Sequence, residues 1–65
     1  MLKTHKYAIG QRVQFTPGLG DGQAHRGVYT IVRQLPSETR DYQYRIKDTR
    51  DGQERVVRES QLDTQ

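Results

Sequence analysis

Two short segments place polar residues, three of them cations, at every second position. Arg12 and Gln14 alternate with Val13 and Phe15, and Gln43, Arg45 and Lys47 alternate with Tyr42, Tyr44 and Ile46. In an extended chain successive side chains point to opposite faces, so each segment has one apolar and one polar side. If the two segments lie close in the fold, Arg12, Arg45 and Lys47 meet on one outward surface. Guanidinium groups bind phosphate oxygens in a bidentate manner, so that surface is suited to a nucleic-acid backbone. Arg50, Arg55 and Arg58 are placed to extend the track. For a protein partner, the candidate contacts are Tyr7, which also reads as a lid over one end of the core, and Val32.

Other chemistry finds little support. Gly18-Leu19-Gly20-Asp21-Gly22 has the glycines of a phosphate cradle, but such cradles work by presenting the free N–H groups of a following helix, and no helical pattern follows. The segment reads instead as a long flexible connection. His5 and His25 are the only histidines; nothing in their spacing brings them together as metal ligands, and both are expected to face solvent as ordinary polar side chains. Ser37 and Ser60, the only serines, have no histidine nearby in sequence. The reading is a non-enzymatic domain with no cofactor and no metal.

Composition narrows the class. Sixty-five residues make one domain at most. With hydrophobic residues at 31%, the core is thin, and a nearly closed sheet makes the best use of it. The chain has no cysteine, which excludes disulfides and thiolate metal sites and favours the reducing cytoplasm. The opening Met1-Leu2-Lys3-Thr4-His5-Lys6 lacks the apolar run of a signal peptide. Net charge is +3 with eleven Lys and Arg, eight of them Arg.

The elements that must position these residues are all strands. Gln11 to Phe15 is the first, ended by Thr16-Pro17. Gly27 opens a second, β-branched strand running to Leu35. Tyr29, Ile31 and Leu35 share a parity that Arg33 interrupts, which predicts a bulge or strand end near Arg33. Tyr42 to Lys47 has strict period-two alternation, with its tyrosines and Ile46 inward. Asp51-Gly52 supplies a hairpin turn. Glu54 to Arg58 comes next, with a register left open because Val56 and Val57 are adjacent. Glu59 to Leu62 reads as one helical turn, with Leu62 plugging the barrel. Residues 7–62 form the domain, and residues 1–6 and 63–65 are read as flexible tails.

On the motifs Ile9-Gly10-Gln11-Arg12-Val13, Gly27-Val28-Tyr29-Thr30-Ile31-Val32, Gln34-Leu35-Pro36, Tyr42-Gln43-Tyr44-Arg45-Ile46-Lys47 and Glu54-Arg55-Val56-Val57-Arg58-Glu59-Ser60-Gln61-Leu62, the chain resembles small uncharacterised bacterial proteins with an SH3-like barrel. That superfold includes KOW and Tudor modules. The resemblance implies an all-β barrel of four to five antiparallel strands with a C-terminal helical turn. The expected function is binding: RNA or single-stranded DNA on the basic strand face or, alternatively, a protein at a strand edge or the glycine-rich loop. The expected state is a cytoplasmic monomer without membrane contact.

Overall fold

The computed structural model describes residues 5–22, 24–38 and 41–65. Among the described residues there are five strands: β1 Arg12–Phe15, β2 Gly27–Leu35, β3 Gln43–Asp48, β4 Glu54–Arg58 and β5 Leu62–Thr64. All pairings are antiparallel, in one sheet of order β4-β3-β2-β1-β5. Short 3₁₀ turns occupy Leu19–Asp21 and Glu59–Gln61. No helix among the described residues is long and apolar enough to cross a membrane.

One apolar cluster serves the whole sheet. Val13 and Phe15 come from β1, Tyr29 and Ile31 from β2, Tyr44 and Ile46 from β3, Val57 from β4 and Leu62 from β5. A sheet buries a face only against another layer or against itself. No second layer exists among the described residues, so the sheet curls around its own inner face as a small barrel. The third strand sets the pattern: Tyr44, Ile46 and Asp48 are buried while Arg45 and Lys47 are exposed. Gly52 has φ +78° in the β3–β4 turn, a conformation that costs glycine nothing and a β-carbon-bearing residue much more.

The predicted irregularity in β2 is a bulge, and it reverses the facing of the strand's last three residues. Ile31 pairs with Ile46, but the next pair is Arg33 with Arg45, so Val32 is the extra residue. One extra residue reverses strand parity. Arg33 and Leu35 therefore join the outer face, and Gln34 takes the inner parity opposite Tyr44 at the barrel end, where it remains exposed. Leu35 is thus not the core residue expected from its spacing; it is half-buried. The adjacent valines also resolve, with Val57 buried and Val56 exposed.

The expected tails need correction. Asp63 and Thr64 are not loose: they pair with Gln14 and Val13 in the β1–β5 ladder. Residues 1–4 lie outside the described residues, but His5 and Lys6 are held. His5 Nε2–H donates to the Leu35 carbonyl at 2.7 Å, and its ring packs on Tyr42 and Tyr44 at 4.6 and 5.0 Å. The Lys6 N–H donates to a Glu59 carboxylate oxygen at 2.9 Å. His5 is therefore a packed residue of the barrel end. Tyr42, expected inside, is half-buried and packs against the core from that same end.

Candidate nucleic-acid interface

The cations of β1 and β3 are not direct neighbours, because β2 lies between them. Register nevertheless aligns them. Arg12 pairs with Thr30, Thr30 with Lys47, and Lys47 with Glu54, making one row across four strands. The adjacent row runs from Arg33 to Arg45 to Val56, and beyond it Leu35, Gln43 and Arg58 make a third. The outer face thus carries Arg12, Arg33, Arg45, Lys47 and Arg58. Its carboxylates are Glu54 at one side and, by its pairing with Gln14, Asp63 at the other.

Arg33 and Arg45 are the notable pair. Directly opposed residues have their β-carbons about 4.5–5.5 Å apart, and like charges there oppose folding. Arg45 is partly compensated by Glu54, whose Oε1 lies 3.6 Å from its Nη1 with both side chains well exposed. Water screening keeps such a pair near 0–1 kcal/mol. A shallow cleft of about 460 Å³ opens beside the bulge, lined by Val32, Arg33, Leu35, Arg45 and Glu54. Arg33 was missing from the cations picked out in the sequence because its parity pointed inward; the bulge turns it outward.

Two of the proposed track residues lie elsewhere. Arg50 grips the buried carboxylate of Asp48 through Nε and Nη2, each at 3.2 Å, while its backbone N–H adds a third bond at 2.8 Å. These bonds hold the Asp48 carboxyl below its ordinary range. Arg50 therefore serves the β3–β4 turn and is committed there. Arg55 sits opposite Ile46, on the inner parity of β4. It lines a separate recess of about 290 Å³ with His25, Tyr29, Asp48, Asp51 and Gln53. Arg58 remains on the outer face, opposite Gln43.

Tyr7 is not an exposed contact. It is 2% exposed, its hydroxyl donates to the Leu62 carbonyl at 3.0 Å, and its N–H donates to the Tyr44 hydroxyl at 3.1 Å. Gln34 Nε2 closes the arrangement by donating to the Tyr7 carbonyl at 2.8 Å. The lid is the observed role. The Tyr44 hydroxyl in turn donates to the Glu59 carboxylate. Burial, then that bond, pushes the Tyr44 pKa up to about 12. Burial also raises the pKa of Tyr29, with the Asp48 charge adding to the effect.

With Tyr7, Phe15, Tyr29 and Tyr44 all inside, the outer rows offer guanidinium and ammonium groups without an aromatic platform. This surface can hold phosphates; it has no ring on which to stack bases. No family model, curated protein or solved structure was found to match the chain.

Proposed function

We propose that the outer face of β1–β4 binds the phosphate backbone of RNA or single-stranded DNA with little regard to sequence. The observation that carries this reading is the direct opposition of Arg33 and Arg45, one row from Arg12 and Lys47. Folding alone gains nothing from two facing guanidiniums, whereas an anionic polymer laid across the rows makes that charge density favourable. Without an exposed aromatic stack, affinity comes from counterion release rather than from base recognition.

The test is a titration with a random single-stranded oligonucleotide at several salt concentrations. Log affinity falls with log salt at about −0.7 per phosphate neutralised, so engagement of Arg12, Arg33, Arg45 and Lys47 gives a slope near −3. Arg33→Ala lowers that slope by about 0.7 and weakens binding to all sequences alike. NMR shifts map to β1–β3 outer positions and spare His25 and Arg55. Affinity indifferent to salt overturns the reading.

A further inference from the structure

The two open edges of the sheet differ. Natural sheets protect their edges with short strands, prolines, bulges or charges that repel another strand. β5 is short, with three residues. β4 has five residues, no proline and a regular register with β3 throughout. Its charges are arranged in a way that suits one particular neighbour.

The backbone of β4 is oriented by the bonds that flank it. Asp48 N–H donates to the Gln53 carbonyl at 2.8 Å, and Glu59 N–H donates to the Tyr42 carbonyl at 2.7 Å. Antiparallel ladders alternate hydrogen-bonded and non-bonded pairs. The pairs Tyr44–Val57 and Ile46–Arg55 between these two bonds are therefore the bonded ones. It follows that Arg55 and Val57 direct their N–H and C=O groups to β3, while Glu54, Val56 and Arg58 direct theirs away from the sheet. The same three residues hold the outer face, and Val56 is 47% exposed there. A cleft of about 340 Å³ opens at this edge, lined by Gly20, Gln43, Val56, Val57, Arg58 and Gln61.

We propose that this edge pairs with the same edge of a second copy of the chain, antiparallel about a two-fold axis at Val56. In that register Val56 lies against the partner's Val56, and Glu54 lies against the partner's Arg58 on both sides of the axis. An apolar contact is flanked by two ion pairs of correct sign. The backbone agrees with the side chains: the outward-facing groups of Val56 form a reciprocal bonded pair, and each Glu54 N–H meets the carbonyl of the partner's Arg58. The Arg58 N–H, held by Gln61 Oε1 at 3.1 Å in the single chain, exchanges that bond for one to the partner's Glu54 carbonyl. A shift by one residue sets Glu54 against the partner's Val57 and ends the charge match. Self-complementarity of this kind is what a two-fold interface requires, and it selects a second copy over an unrelated strand. The result is a continuous sheet across both subunits. The contact is a single strand edge, far smaller than the roughly 1,200–2,000 Å² of a stable complex, so the dimer is weak and concentration-dependent.

Sedimentation and light scattering from micromolar to millimolar protein test this. The expected mass rises from the monomer's 7.6 kDa towards twice that value as concentration increases. Glu54→Lys and Arg58→Glu each set like charges across the axis and return the protein to monomer. The double variant Glu54→Lys/Arg58→Glu restores the dimer with the charges exchanged. Val56→Lys, at a position already open to water, also abolishes association while circular dichroism reports an intact fold. A monomer mass at every concentration overturns the proposal, and so does a dimer that survives Val56→Lys and both single swaps.

Discussion

Tyr44 joins three parts of the chain through one oxygen. Its hydroxyl accepts from the Tyr7 N–H and donates to Glu59, and its ring packs edge-on against His5 and Tyr7. Tyr44→Phe keeps the ring and leaves a buried N–H without its partner. An unsatisfied buried group costs about 1–3 kcal/mol, which a denaturant midpoint measures directly. The same hydroxyl sets an alkaline limit. Its folded pKa, near 12, lies above the ordinary value of 10.0, so the folded state holds its proton over a range where the unfolded state releases it. Stability from this group is complete below pH 10 and is lost as pH rises from about 10 to 12. In Tyr44→Phe that part of the alkaline decline disappears. None of this was legible in the alternation of Tyr42 to Lys47, which placed Tyr44 inside but could not say what its oxygen would meet. The partners come from residues 7 and 59, and pairings that distant in sequence leave no periodic trace.

The bulge in β2 shows how one residue decides what an element presents. Reading the strand by parity alone puts Arg33 in the core and leaves the conflict visible, which is why an irregularity was legible at that position. Its consequence was not legible, because parity beyond a bulge depends on which residue is extra. Val32 is that residue, and Arg33 faces outward because of it. Deleting Val32 removes the bulge and joins Arg33 directly to Ile31, so Arg33 stays outward opposite Arg45 and Gln34 stays opposite Tyr44. The deletion variant is therefore expected to keep the dispersed amide spectrum of a folded sheet. Loss of dispersion in the deletion but not in Val32→Ala would refute Val32 as the extra residue. The neighbouring strands were easier to read. β3 shows its strict alternation because each of its outward positions is polar, whereas β4 hid its register behind two adjacent valines until Tyr44 took Val57 as its cross-strand neighbour.

A domain of 65 residues has little stability to lose. Chains of this size bury only about 60% of their unfolded surface, and total stability is often near 5 kcal/mol. Ile46 is fully buried at the centre of the shared cluster, and Ile46→Ala costs about 2–5 kcal/mol. Arg45, one residue away and exposed, loses with its truncation only a screened ion pair, within about 1 kcal/mol. Thermal melts are expected to show Arg45→Ala close to the parent and Ile46→Ala largely unfolded at room temperature; equal melting points would refute the inside–outside assignment of β3. The fold class was legible as a whole because a thin, strand-rich sequence with few apolar residues has few ways to bury them. The joining of the two chain ends was not, because it relies on contacts between distant segments: β1 with β5, and the Tyr7 hydroxyl with the Leu62 carbonyl, 55 residues apart. That joining has a consequence during synthesis. At about 5–20 residues per second, residue 62 is added roughly 3–11 s after residue 7. Throughout that interval Val13 and Phe15 stand on a strand whose final neighbour has not been made. The β1–β5 ladder and the Tyr7–Leu62 bond can form only after translation has passed β5.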